Sequence, residues 1–173
     1  RCQRPVPDRG LGVVVGDGLV ATAAHTVEGE LRGLTVDGAP ATVVAIDART
    51  DLAVLGVPTA ATPMALADVV APVSAVLHDL DGAHDVEVVR TGTLVVHDTT
   101  DRVRHERQVH TFTPGVPAGT SGAPITTADR ALLGIVVLDR ADRDAADAVT
   151  SAELAALLSV AGSPGPRLGC GRG

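Results

Sequence analysis

Short apolar runs, many of them rich in valine, alternate along this chain with clusters of Gly, Pro, Asp and Thr. Runs of that kind, filled with β-branched residues and bounded by turn formers, predict strands rather than helices. Residues 12–22 predict two short strands around the turn Gly16-Asp17-Gly18. Residues 34–36 and 41–46 flank Asp37-Gly38 and predict a hairpin, and an apolar strand follows over 52–57. The stretch 58–72, rich in Ala, Thr and Pro, interrupts the pattern and predicts a linker. Strands resume over 73–77, 86–96, 108–113, 123–126 and 132–138. Residues 151–160 change period: Ala152, Ala155, Ala156 and Leu158 fall at helical spacing behind a Ser151/Glu153 start, which predicts a terminal helix. A Pro/Gly tail over 162–169 then leads to Cys170.

Composition narrows this picture. A chain of 173 residues suits one domain. Hydrophobic residues make up 45% of it, yet Trp and Tyr are absent and Phe112 is the sole aromatic, so the core must be built of Val, Leu and Ala. Such side chains suit strands but bury less area each than aromatics. The net charge of −7 and the absence of lysine exclude nucleic acid as an expected partner, because phosphate binding depends on clustered positive charge. Cys2 and Cys170 lie too far apart, and too far from histidine clusters, to predict a zinc site; no metal and no cofactor are expected. No run of 18 apolar residues occurs, and the Arg-Cys-Gln-Arg start is not a signal peptide, so the chain reads as an excised mature or extracytoplasmic domain.

Three segments carry candidate chemistry. Ala23-Ala24-His25 follows the second strand directly, Asp51 opens the strand 52–57, and Ser121 sits within Gly119-Thr120-Ser121-Gly122-Ala123-Pro124. A serine hydroxyl is a poor nucleophile at neutral pH, and attack on an amide needs a histidine to take its proton and a buried carboxylate to fix the imidazole tautomer. Glycines on both sides of Ser121 let the backbone approach a substrate carbonyl. His25, Asp51 and Ser121 therefore read as base, orienting acid and nucleophile.

In that chain order, and over most of its length, the sequence resembles the chymotrypsin-like (trypsin-fold) serine proteases. The resemblance implies an all-β fold of two six-stranded antiparallel β-barrels with a C-terminal helix. The first barrel would span residues 1–57, the linker 58–72, the second barrel 73–150, the helix 151–160 and the tail 161–173. It further implies an oxyanion hole from the N–H groups of Gly119 and Ser121. The specificity pocket would have its floor at Gly115 and walls from Val116, Val136, Val137, Leu138, Asp139 and a strand near Ala146. Gly115 carries no charge, so a small or medium apolar side chain is expected before the scissile bond. Two positions depart from the family: Thr120 stands where digestive members carry an aspartate, and Ala123 where many have glycine.

More narrowly, the paired terminal cysteines, Thr150 to Leu154 and Leu133 to Val137 resemble bacterial membrane-anchored periplasmic proteases of the acid-resistance type. That resemblance implies an upstream membrane domain in a longer protein and a periplasmic or secreted location. Family barrel termini lie close together, which implies a Cys2–Cys170 disulfide; two free or intermolecular thiols are the alternative. The expected partner is a protein or peptide substrate, and a monomer is expected.

Two charged stretches read most simply as solvated loops. One runs over 97–110 with His97, His105 and His110, the bolder reading being a pH-responsive or cleavage-prone loop. The other runs over 139–147 with Asp142 and Asp144, without the glycine and terminal glutamate of a calcium loop. A serine endopeptidase is thus expected. The alternatives are a catalytically silent protease-fold binding module and an esterase using the same triad, although the elbow motif of the α/β-hydrolases is absent around Ser121.

Overall fold

The computed structural model describes residues 9–27, 33–97, 104–140 and 144–161. Cys2, Cys170, Asp142 and the Pro/Gly tail lie outside the described residues, and with them the expected disulfide.

In the first half, β1 (Val13–Gly16) and β2 (Leu19–Ala23) form the hairpin predicted around Gly16-Asp17-Gly18. A 3-10 turn over Ala24–Thr26 follows β2 directly. Next come β3 (Thr35–Val36) and β4 (Ala39–Pro40), joined through Asp37 and Gly38 at φ 49° and 81°. Two successive positive φ values are what a two-residue hairpin turn demands. That turn pairs Val36 with Ala39, so the second arm is Ala39-Pro40 and not the expected 41–46. Residues 42–47 instead form β5 (Thr42–Asp47), which pairs with β6 (Leu52–Gly56). The half is hydrogen-bonded as a four-stranded sheet, β1-β2-β6-β5, with the β3-β4 ribbon beside it.

The second half is a closed six-stranded antiparallel barrel. Its strands are β7 (Val73–Asp79), β8 (Gly82–His97), β9 (Arg104–Thr113), β10 (Pro124–Thr126), β11 (Leu132–Arg140) and β12 (Ala145–Thr150). They close in the order β10-β11-β12-β9-β8-β7. Helix α1 (Ser151–Val160) follows with the expected bounds, but it buries Ser151, Leu154 and Leu157, while Ala152, Ala155 and Ala156 of the expected apolar face are exposed. The linker lies along the sheets: Met64 donates its N–H to the Val14 carbonyl and Ala67 to that of Leu132. The Ser151 hydroxyl, at the start of α1, donates to the Ala67 carbonyl at 2.6 Å.

Both charged stretches depart from the solvated loops expected of them. β8 reaches His97 and β9 starts at Arg104, so His105 lies in a strand paired with Val96. His110 is 1% exposed, its Nδ1 bonded to the Thr91 hydroxyl at 2.8 Å on the facing strand. In the other stretch, Asp147 belongs to β12 and is fully buried. Its carboxylate accepts the Thr111 hydroxyl at 2.6 Å and the Arg140 Nε–H, and this pairing is what makes a buried charge tolerable. A strand reading Ala-Ala-Asp-Ala-Val has too little bulk to stand out by hydrophobicity, and its acid looked like a surface signal.

Three apolar clusters make up the core. Val20, Ala53, Leu55 and Val57 fill the first half. Phe112, Val88, Ile125, Leu133 and Val136 fill the closed barrel. The third cluster joins them: Ala23, Leu52 and Val54 of the first half pack on Val109, Ile135 and Val149 of the second and on Leu154 and Leu157 of α1.

His110 gives the fold a pH dependence of known sign. Burial pushes its pKa below the ordinary 6.5, against a smaller opposing pull from Asp68. The unfolded chain therefore binds a proton that the folded chain refuses, and stability falls as pH drops below about 6.5 until the lowered pKa is passed. In His110→Leu the loss of Tm between about pH 7 and pH 5 should be smaller than in the parent protein. Equal losses in circular-dichroism melts would show that His110 titrates normally.

Candidate active site

His25 and Asp51 are neighbours because β2 and β6 are antiparallel and pair Ala23 with Leu52. The turn carrying His25 leaves one strand where Asp51 enters the other. Two bonds lock them: the Ala24 N–H donates to the Asp51 carbonyl at 2.8 Å, and the His25 N–H donates to Asp51 Oδ1 at 2.8 Å. Asp51 accepts a left-handed φ of 62° in that position, a conformation aspartate tolerates better than most residues. The ring then meets the second carboxylate oxygen, His25 Nδ1 lying 2.7 Å from Asp51 Oδ2. An ionised carboxylate only accepts, so Nδ1 carries the proton and Nε2 keeps its lone pair. Ser121 Oγ lies 2.9 Å from that Nε2 and donates to it. The Asp51 side chain is 16% exposed and that of His25 41%, so the acid is withdrawn from water while the base remains reachable.

Ser121 arrives from the opposite half, on the loop between β9 and β10. The Thr120 hydroxyl donates to the Pro117 carbonyl at 2.8 Å, and the Ala123 N–H to the Thr120 carbonyl at 3.0 Å. Thr120 is itself buried, so the residue that departs from the digestive proteases serves here as an internal brace of the loop. The Gly122 N–H donates to the Val136 carbonyl, and the Ser121 carbonyl accepts the Leu11 N–H at 2.9 Å. Leu11 is held in turn by the Thr22 hydroxyl on its carbonyl at 2.6 Å. Leu11 and Thr22 thus connect the strand that leads to His25 with the loop that carries Ser121. Neither stood out in the sequence. Thr22 lies three residues before His25, on an otherwise apolar strand, and that isolated hydroxyl was the available signal.

The other expected site residues divide. Gly119 has φ 96° and is exposed; among the described residues its N–H and that of Ser121 donate to no protein acceptor. Gly115 donates its N–H to Asp144 Oδ1 at 3.0 Å, and a Cβ there would stand 3.0 Å from the Ala145 nitrogen. Val116, Val136 and Ala146 are buried together around Phe112. Val137 is not with them: it packs in the cluster between the two halves. Leu138 is 41% exposed. Asp139 pairs with Ala146 through its backbone.

Gly122 is the position where a side chain is least tolerable. Its φ is 88°, and a Cβ would fall 1.9 Å from the Leu11 carbonyl oxygen and 2.6 Å from the Thr22 hydroxyl. Gly122→Ala should therefore cost about 2 kcal/mol or more, a fall of roughly 5 °C in Tm. An unchanged melting curve would mean that Leu11 does not cross the loop here.

Sequence comparison with curated proteins yields no match. Among solved structures, the active form of the Rv3671c protease from M. tuberculosis superposes with a TM-score of 0.80 at 26% identity, over 91% of this chain and 75% of that one. The inactive form of the same protease gives 0.71 at 26% identity, over 89% and 84%. The MamO protease domain from Magnetospirillum magneticum gives 0.65 at 20% identity, over 84% and 85%, a likeness of fold alone. Residues 10–135 match the trypsin-like peptidase domain, and with most of its length so matched the chain belongs to that family, the trypsin-like serine peptidases.

Proposed function

We propose that this serine protease cleaves peptide bonds through an acyl-enzyme on Ser121, with His25 as general base and then general acid and Asp51 as the group that orients and supports His25. The observation that carries the reading is the unbroken chain of hydrogen bonds from Asp51 Oδ2 through the imidazole to Ser121 Oγ, 2.7 and 2.9 Å long. As Oγ attacks the carbonyl, its proton passes to Nε2, and the imidazolium so formed lies against the Asp51 carboxylate. The same proton then returns to the departing amine. Water repeats the sequence from the other side to release the acid.

Developing negative charge on the carbonyl oxygen needs preorganised donors, worth roughly 3 kcal/mol each. Gly119 and Ser121 supply backbone N–H groups with no competing acceptor among the described residues.

For the residue before the scissile bond we propose a small or medium apolar side chain. Gly115 leaves the expected floor without charge, and its chain neighbour Val116 is apolar. Asp144 is the nearest carboxylate with a described contact there, and one of its oxygens is engaged by the Gly115 N–H.

Two experiments test these readings. Ser121→Ala and His25→Ala should each lower kcat for peptide hydrolysis by about 10⁴-fold or more while leaving the melting curve intact, and the double variant should be scarcely worse, because the groups act as a unit. Peptidase activity retained by Ser121→Ala would remove the serine mechanism, and ester turnover without peptide turnover in the parent protein would make it an esterase. Cleavage profiling with a peptide library should return Ala, Val or Leu before the cut. A preference for Arg or Lys that collapses in Asp139→Ala or Asp144→Ala would overturn the apolar pocket.

A further inference from the structure

The turn that delivers Asp51 is gripped from the opposite half of the molecule. Arg107, on β9, donates from Nη1 to the Thr50 carbonyl at 3.1 Å, and the same nitrogen lies 3.7 Å from Asp51 Oδ2. Oδ2 is also the oxygen that receives the His25 Nδ1 proton. One carboxylate oxygen thus faces imidazole on one side and guanidinium on the other. The Arg107 side chain is 10% exposed, so solvent and salt screen this contact little. Among the described residues its Nε is buried without a hydrogen-bond partner, a cost that an apolar residue filling the same space would not incur. Burial pulls the guanidinium pKa below its usual range, with Asp51 and Asp47 opposing. It nonetheless stays charged at any pH at which a protein folds.

We infer that Arg107 is a positioning residue for the His25–Asp51 couple: its Nη1 holds the Thr50–Asp51 turn, and its charge, 3.7 Å from Asp51 Oδ2, offsets part of that carboxylate's pull on the His25 imidazole. This rests on the triad reading above. Among the described residues the charged groups around it are few. The turn between β5 and β6 presents Asp47, Arg49 and Asp51. Arg49 is itself engaged by Glu153 of α1, through bonds of 3.0 and 2.6 Å, and by the Glu106 carbonyl. Opposite Arg107 on β8 stands Leu94, which carries no charge. Among the described residues Arg107 and Arg49 thus supply the positive charge at this turn, and of these two Arg107 is the one that contacts Asp51.

The sign of its effect on catalysis follows. A cation near Asp51 makes imidazolium harder to form, so its removal should raise the apparent pKa of the acid limb and erode activity at low pH. The probe is the rate at which a fluorophosphonate labels Ser121, measured across pH in the intact chain with folding checked by circular dichroism. In Arg107→Met the acid limb should move up by about half a unit to one unit, and the plateau rate should fall about tenfold as the turn loosens. Arg107→Lys keeps the charge but not the rigid planar guanidinium that places Nη1, and it carries the test should Arg107→Met not fold: its acid limb should stay with the parent while the plateau falls several-fold. A folded Arg107→Met with the parental acid limb, or an Arg107→Lys with a shifted one, would overturn the inference. Failure of the parent protein to label at Ser121 would instead overturn the triad reading and this inference with it.

Discussion

The bond from His25 Nδ1 to Asp51 Oδ2, 2.7 Å long and made by a carboxylate withdrawn from water, is the contact on which the rest of the site depends. It decides which ring nitrogen holds the proton, and through that which nitrogen can take one from Ser121. Everything around it serves to keep it aligned. The β2–β6 register brings the two residues together, the His25 N–H occupies the other carboxylate oxygen, and Asp51 adopts a left-handed backbone to present both. A carboxylate bound on both oxygens has little freedom to rotate, so the imidazole has one orientation.

Base and nucleophile come from different halves, so chemistry depends on how the halves associate. An apolar cluster does much of this, with Leu52 and Val54 against Val109, Ile135 and Leu154. Polar crossings add direction to that packing. Leu11 bonds the Ser121 carbonyl while held by Thr22, and Arg49 and Arg107 tie the Asp51 turn to β9 and α1. With Phe112 as the sole aromatic, the core buries little area per residue, and directional hydrogen bonds between the halves matter correspondingly more. Glu153 shows the economy of the arrangement: its bonds to Arg49 hold its carboxyl below the usual range, and it also accepts the Gln108 N–H from β9.

Much of this was legible in the chain because the relevant signals are local. Valine-rich runs between Gly and Asp turns marked the strands and glycines around Ser121 marked its loop, whereas α1 has the expected bounds but buries Ser151, Leu154 and Leu157 rather than the alanines at helical spacing. Three features were not legible, each because a long-range contact reversed a local cue. Arg107 and His110 stood in a charged stretch that looks like a solvated loop, but pairing with β8 makes it a strand with one face against the core. Asp147 looked exposed by type, and is buried only because Arg140 and Thr111 meet it. The Asp37-Gly38 turn is where its sequence puts it, yet its tight geometry ends the hairpin at Pro40 and frees the next strand to pair with β6.

A stalled acyl-enzyme offers the most direct test of one catalytic unit assembled across the two halves. The chain would be mixed with p-nitrophenyl acetate, quenched in acid within the first turnover, and its intact mass measured before peptide mapping. One acetyl group on Ser121 is expected, absent from His25→Ala and strongly reduced in Asp51→Asn, because acylation needs the base in its correct tautomer. Acetylation elsewhere on the chain, or equal acetylation of Ser121 in the parent and in His25→Ala, would show that these three residues do not act together.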